Sequence, residues 1–597
     1  MRLSDFVIRA LEANGISTAY VITGRGSLFL NDALAARPTI KSIFPHHEQS
    51  AAFAACAAAS ASKALQLVVT STGCAATNTM TGVLSAWQDK LPVIFISGQN
   101  YLNETTAFQS TQKRTFGEQE ANIVDLVTPI TKFAYMLTNP SDILDVLNNA
   151  LNEALTEPMG PVWIDIPLDL QSHPVNFEIE DAVVRPAKSG SETPPSRESS
   201  IYELALALNK SERPVILLGG SVRSPQCKEV IKAFSKNYLV PIVYTRSGVD
   251  FLPATFESTI GSLGSQGASR AGAFTVQNSD LVISIGDDLN TLTVGPDKET
   301  FARAAELFAI DYDDTSHEKN GLTYSGLIIG DIYQSLTNLL KLLNQAPLSR
   351  NKWISQCVEW KRSYGRTTEF TSTADEIDLH DFAYHLPDLM GETGIFICDS
   401  GFIDVIVPTN AYFQENQRCI RPISQGSMGF ALPAVVGTSF STQDPIICAV
   451  GDGSIMFNLQ ELETISRYQI PVLICVFVNN MYAVIKRRQN LLFRGRTFGV
   501  NDETGLANPN FEKIAGSFDI KYQRTSAKDY VNCLKNLQNT NVPVLIELPS
   551  KADQNYLEIA YAKTSNRSFK RRPLEDQKPF LPREELLSNM LIEALDE

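Results

Sequence analysis

The chain has 597 residues, of which 44% are hydrophobic and 20% charged, and carries a formal net charge of −15. Several domains are expected, since single cores rarely grow past about 250–300 residues, and the acidic balance disfavours nonspecific nucleic-acid binding. No apolar run approaches the ~18–20 residues of a membrane span, and nine cysteines without CxxC spacing read as reduced core residues of a cytoplasmic protein, not disulfides or zinc ligands.

The opening stretch, MRLSDFVIRALEANGI, predicts an amphipathic helix and lacks the uninterrupted apolar core of a signal peptide. The runs TAYVITG, LQLVVTS, PVIFISG and PVWIDIP are each followed by a small-residue loop and a helical pattern. They predict a parallel sheet in an N-terminal domain, 1–184. A short strand, KSIFP, leads to Glu48 at the start of an Ala-rich helix. The Pro/Ser-rich stretch 185–199 reads as a linker. PVILLGG, VPIVYT, DLVISIG and ELFAIDYD predict a second doubly wound sheet in a central domain, 200–345. A polar and helical connection, 344–373, leads to a third α/β domain, 375–550. A charged tail, 551–597, is either packed on the body or a neighbouring subunit, or partly solvated. The fold class expected is α/β with three doubly wound parallel-sheet domains.

The most informative stretch runs from Gly451 to Asn480, GDGSIMFNLQELETISRYQIPVLICVFVNN. A strand ends in Gly451-Asp452-Gly453-Ser454, a helical segment follows, and a second strand ends in Asn479-Asn480. Such a βαβ unit puts both strand ends on one edge of the sheet, where α/β proteins bind ligands. The glycines let backbone N–H groups approach an anion, and Ser454 adds a hydroxyl. Asp452 and Asn479 are hard oxygen donors suited to Mg²⁺ shared with a diphosphate. A tight glycine turn and a strand-end cap explain either half of this pattern alone, but not both halves at this spacing.

GDG followed by NN resembles the motif of thiamine diphosphate-dependent enzymes, and the three-domain layout resembles their acetolactate synthase-like branch. The resemblance assigns the metal to Asp452, Asn479 and the carbonyl of Met481, with Tyr482 and Gly401 also on the cofactor. It assigns pyrimidine-side contacts to Gly24, Gly26, Gly73 and Asn78. Ser424-Gln425-Gly426-Ser427-Met428-Gly429-Phe430 resembles GTMGF, which gives Gly426 a carbonyl contact to the cofactor amino group and Met428 a place beneath the bent cofactor. Glu48 stands where the family places its catalytic carboxyl, although a first-turn Glu is also favourable for capping alone. His47 is the better substrate-side histidine, with His46 read as a loop or cap residue. Gln119 matches a substrate-side glutamine, while Glu118 replaces an apolar aromatic. Ser71–Asn78 departs from a TSGPGATN-like loop at Cys74, read as a small pocket residue. Asp404-Val405 replaces a Gln-His pair, so contact from that loop is expected only through backbone groups.

The resemblance also extends to FAD. Gly261, Gly264 and Gly267 have GxxGxxG spacing, and Gly219-Gly220, residues 286–288 and 311–313 fall where flavin-bearing relatives contact the cofactor. Such loops equally end the strands of a nucleotide fold that binds none. The reaction implied is decarboxylation of a 2-oxo acid such as pyruvate and transfer of its two-carbon unit to a carbonyl acceptor, a 2-oxo acid or a keto-sugar nucleotide. The second choice follows from a likeness to homologues in surface-polysaccharide gene sets. Lys486-Arg487-Arg488 stands where the family has a Trp-containing segment. It is either a solvated helix face or a phosphate-holding cluster. A C–C lyase or hydrolase, a simple decarboxylase and a cofactor-binding relic are the alternatives. A homodimer or homotetramer with active sites shared between subunits is implied.

Overall fold

The apolar runs fold into three six-stranded sheets, all parallel. They are seen in a computed structural model that describes residues 1–184, 195–343, 349–366, 369–563 and 569–595. The first sheet comprises β1 (Thr18–Val21), β2 (Lys41–Ile43), β3 (Gln66–Thr70), β4 (Val93–Gln99), β5 (Phe133–Met136) and β6 (Val162–Pro167), in the order β2-β1-β3-β4-β6-β5. The second comprises β7 (Pro214–Leu218), β8 (Ile242–Tyr244), β9 (Thr259–Ser262), β10 (Leu281–Ile285), β11 (Glu306–Asp311) and β12 (Gly326–Ile329), in the order β12-β11-β10-β7-β8-β9. The third comprises β13 (Ile395–Cys398), β14 (Arg418–Ile420), β15 (Ile446–Gly451), β16 (Val472–Val478), β17 (Lys521–Arg524) and β18 (Val544–Pro549), in the order β14-β13-β15-β16-β18-β17. Central strands such as β4, β6 and β10 are buried along their whole length, which is why they read as continuous apolar runs with little alternation.

Strand order decides where ligands fit. The first and third sheets share one topology, with a switch point between β1 and β3 and between β13 and β15. The middle sheet switches between β7 and β10. Open α/β sheets bind ligands at the carboxyl ends of strands at such points. The loops after these strands hold Gly24–Gly26 and Ser71–Asn78, Asp399–Gly401 and Gly451–Ser454, and Gly219–Ser221 and Gly286–Asp288.

The first and third domains dock through two helices, Glu48–Ser62 and Ala431–Ser439. Small residues let them close: a Cβ placed on Gly437 would lie 1.9 Å from the Ala54 carbonyl oxygen. Phe53 meets Phe430 edge-on at 5.4 Å, and the Tyr20 hydroxyl donates to the Gly437 carbonyl at 3.2 Å. The third domain is tied to the second by Asp404, which is buried and pairs with Arg246 at 2.7 Å and with Arg421. Although burial pushes the Asp404 carboxyl up, Arg421 and Arg246 hold it below the usual range.

Pro195–Lys210 is helical, so the expected linker ends before it; residues 185–194 of that linker lie outside the described residues. The connection to the third domain forms a helix, Asn351–Tyr364, which buries Trp353 and Trp360. The tail packs on the central domain. Leu586 is buried, Trp360 Nε1 donates to Asn589 Oδ1 at 2.8 Å, and Arg303 pairs with Glu575 at 2.7 Å. Among the described residues no helix is long and apolar enough to cross a membrane.

Candidate active site

At the switch point of the third sheet, Asp452 sits directly after β15 and is 2% exposed. Its Oδ2 accepts from the Asn479 and Asn480 N–H groups at 2.9 and 2.6 Å, and its Oδ1 from Gly453 N–H at 2.8 Å. Burial raises its pKa. Asn479 Oδ1 accepts from Met481 N–H at 3.1 Å. Asp452 Oδ1 and Asn479 Oδ1 each accept one hydrogen bond and keep a lone pair for a cation, so the arrangement fits Mg²⁺ bound by one carboxylate, one amide and backbone. Space for a diphosphate lies beside it, because a Cβ on Gly451 or Gly401 would meet nothing within 4 Å. Gly401 precedes the helix Phe402–Asn410, whose free N–H groups favour an anion. Gly453 is fixed by Tyr482, whose ring would lie 2.2 Å from an added Cβ.

Asp399 braces the next turn. Its carboxylate accepts from Gly429 N–H at 3.0 Å, Phe430 N–H at 3.2 Å and Ser400 N–H at 3.0 Å. Burial pushes this carboxyl up to about 6. The turn it holds carries Gly426, at φ +61°, and the half-buried Met428. Asn458 supports the same turn by donating to the Gly429 carbonyl at 2.8 Å. It also reaches the first domain, through Gln49 at 3.1 Å and Ser50 at 3.0 Å. Nothing local in the sequence announced Asn458, because its partners lie 409 and 408 positions away.

In the first domain Glu48 opens the helix Glu48–Ser62. Asn78 Nδ2 donates to Glu48 Oε2 at 3.0 Å. His47 supplies the N-cap, its Nδ1 accepting from Gln49 N–H at 3.1 Å, so the cap role falls to His47 and not to His46. His46 N–H donates to the buried Glu461 at 3.0 Å. Three loops converge nearby. Gly26 N–H donates to Ser71 Oγ at 3.0 Å, and an added Cβ on Gly24 would lie 2.4 Å from Ser71 Cβ. Gly73, at φ +62°, leaves room for the Gln119 carbonyl, which would be 1.7 Å from a Cβ there. Gln119 is exposed.

The chain thus gathers two groups, Glu48 with Asn78 and the loops 24–26, 71–78 and 117–121, and Asp452 with Asn479, Met481, Tyr482, Gly401, Gly426 and Met428. Within one copy Glu48 makes no hydrogen bond to Asp452, Asn479 or Met481. The basic cluster divides: Arg487 pairs with Glu558 at 2.7 Å and donates to the Gln554 carbonyl at 2.6 Å, fastening the tail, while Arg488 is exposed and Lys486 half-buried.

A separate cavity of about 930 Å³ opens between the three domains, lined by Lys63, Gly220, Arg246, Gly286, Asp288 and Arg421 among others. Gly261, Gly264 and Gly267 do not line it. Gly267, at φ +69°, instead faces the Val405 carbonyl, 2.0 Å from where a Cβ would stand. Gly267 therefore serves packing between domains, while Gly261 and Gly264 lie against Ser269 and Leu292 of their own domain.

Comparison with known proteins agrees across the chain. Residues 1–121, 201–339 and 399–548 match the N-terminal TPP binding, central and C-terminal TPP binding domains of the thiamine pyrophosphate enzymes. A probable acetolactate synthase large subunit of Methanocaldococcus jannaschii is 29% identical over 92% of this chain and 92% of its own length. The large subunit of acetolactate synthase from Haemophilus influenzae is 27% identical, over 86% and 88%. That of isozyme 2 from Escherichia coli is 27% identical, over 92% and 95%. The chain belongs to the thiamine pyrophosphate enzymes and is an acetolactate synthase-like, thiamine diphosphate-dependent carboligase.

Proposed function

We propose that the protein uses Mg²⁺-anchored thiamine diphosphate to decarboxylate pyruvate and transfer the two-carbon unit to a carbonyl acceptor, either a second 2-oxo acid or a keto-sugar nucleotide. The observation that carries this reading is that both half-sites are intact at equivalent switch points of two topologically identical sheets. The active unit is a homodimer or a homotetramer in which Glu48 of one copy serves the Asp452 crevice of another. Lys486 and Arg488 have no ion partner among the described residues and supply positive charge for a phosphorylated acceptor.

When bound, thiamine diphosphate supplies the electron sink for loss of CO₂. The chain's own residues do the rest. Asp452, Asn479 and the Met481 carbonyl hold the metal, and the open faces of Gly401 and Gly451 with the hydroxyl of Ser454 receive the diphosphate. The turn that carries Met428, braced by Asp399, would lie against the cofactor and orient it, a proximity effect. Glu48 Oε2 is occupied by Asn78, leaving Oε1 to hold and return a proton as a general acid–base. His47 keeps Nε2 free, since Nδ1 caps the helix, and so can present a proton to substrate.

The central cavity suits FAD in a structural role, since this transfer has no net redox. It lies at the switch point between β7 and β10, where open sheets take dinucleotides. Arg246 Nε and Ser85 Oγ, both buried without a hydrogen-bond partner, line it and would find acceptors or donors on such a ligand. Flavin fluorescence in the supernatant of denatured protein is expected; purified, active protein that releases none would remove this assignment.

The direct test is turnover. With thiamine diphosphate and Mg²⁺, pyruvate is expected to release CO₂ and to give a product whose mass contains a two-carbon unit added to the acceptor. CO₂ release with no two-carbon adduct on any ketone acceptor would identify a simple decarboxylase. Absence of CO₂ would leave only a cofactor-binding role.

A further inference from the structure

One charged pair stands over the meeting point of the three first-domain loops. Arg25 Nη1 donates to Glu118 Oε2, between segments 93 positions apart. Both backbones are pinned. Gly26 N–H is bound to Ser71 Oγ at 3.0 Å, and the Gly26 carbonyl accepts from Gln171 at 2.6 Å. The Glu118 carbonyl accepts from Asn100 at 2.8 Å, and the next residue, Gln119, lies against Gly73. The side chains are free by comparison, 57% exposed for Arg25 and 71% for Glu118. An ion pair this exposed contributes little to stability, which makes it a poor staple and an easily exchanged one.

The charge balance of these loops points to a use. Across 24–27, 71–78 and 117–121 Arg25 is the one permanent cation. A 2-oxo acid brings a carboxylate to this mouth, and a larger keto acceptor of the proposed kind brings phosphate. A guanidinium presents a planar fork that binds either group through two nitrogens. Glu118 occupies Nη1 alone. Sequence reading flagged Glu118 only as a polar replacement for an aromatic, and nothing local marked Arg25 as its partner.

We propose that Arg25 selects the acceptor, its guanidinium exchanging Glu118 for the anionic oxygen group, carboxylate or phosphate, of the incoming carbonyl compound. Glu118 is then a resting counterion that competes with the acceptor and sets how tightly it binds. This inference rests on the carboligase reading above.

The test uses holoprotein with thiamine diphosphate, Mg²⁺ and saturating pyruvate. Three acceptors are compared: 2-oxobutyrate (a carboxylate), dihydroxyacetone phosphate (a phosphate) and acetaldehyde (uncharged). Arg25→Met is expected to raise KM for a charged acceptor about ten- to a hundredfold relative to acetaldehyde. Glu118→Gln is expected to lower the same KM about two- to fivefold, and the acceptor that responds names the group recognised. Equal shifts for charged and uncharged acceptors in Arg25→Met would overturn the inference. So would an unchanged or raised charged-acceptor KM in Glu118→Gln, which decides the matter alone if Arg25→Met does not fold. Wild-type protein that releases no CO₂ from pyruvate removes the carboligase reading, and this inference with it. Wild-type turnover with unselective variants removes this inference only.

Discussion

Glu48 and Asp165 are two carboxyls of the first domain with opposite fates. Glu48 is half-buried; its Oε2 accepts from Asn78, and among the described residues its Oε1 has no hydrogen-bond partner. Glu48→Gln keeps the shape and removes the proton site. It is expected to lower kcat for CO₂ release by about 10²–10⁴-fold with cofactor affinity, read by calorimetry, little changed; full retained turnover would contradict the assignment. Asp165 is sealed in the core, accepting from Ser97 at 2.6 Å and Gln99 at 3.1 Å. Burial pushes its carboxyl up to about 7, against an ordinary value of 3.8. Between those values the unfolded chain has released a proton that the folded chain still holds. Its contribution to stability therefore falls as pH rises from about 4 to about 7 and is constant above, with a slope of at most about 1.4 kcal/mol per pH unit. Asp165→Asn should lack this component, so thermal unfolding curves of wild type and variant are expected to converge or cross over that window. A pH-independent difference would show that Asp165 stays ionised.

Residue-level reading of the sequence reaches groups marked by local signals and misses those whose partners are distant. Gly451–Ser454 and Asn479-Asn480 are strand-end signals that the fold brings together at 2.9 Å. Asp404 was legible only as the absence of a Gln-His pair. Its buried pairing with Arg246 and Arg421 joins positions 158 and 17 residues away, which no spacing rule encodes.

At the scale of elements, most strands found in advance are apolar runs, with the short edge strand β2 read from KSIFP as well. Those missed include edge strands, such as β5, half-buried throughout, and β17, KYQR, exposed at both ends, and also the internal strand β18. An edge strand has one partner and one wet side, so its residues need not be apolar. Within the GxxGxxG run, Gly267 packs closely against Val405, a distant contact that the spacing does not encode. The pairing of the helices Glu48–Ser62 and Ala431–Ser439 was likewise invisible, although it depends on one glycine. Gly437→Val would drive a side chain into the Ala54 carbonyl. The expected cost is about 1–3 kcal/mol, seen as a lower unfolding midpoint, with a loss of activity because the helix that carries Ala54 starts with Glu48. An unchanged midpoint would mean the two domains separate freely.

Across the whole molecule, two domains of one topology each carry half of the proposed site, and a third with a different strand order shares with them a cavity that all three line. The three α/β sheets could be read from the alternation of strand and helix patterns, whereas strand order, and hence the two equivalent crevices, could not. In the proposed dimer or tetramer the active site takes its acid–base group, Glu48, from one subunit and its metal cradle, Asp452 and Asn479, from another. Subunit complementation examines this directly. Glu48→Gln and Asp452→Ala proteins are each expected to be nearly inactive. Co-expressed, they should form mixed dimers in which one site has both intact groups, restoring up to about a quarter of wild-type pyruvate turnover. Mixed dimers that form and remain inactive would contradict a shared site.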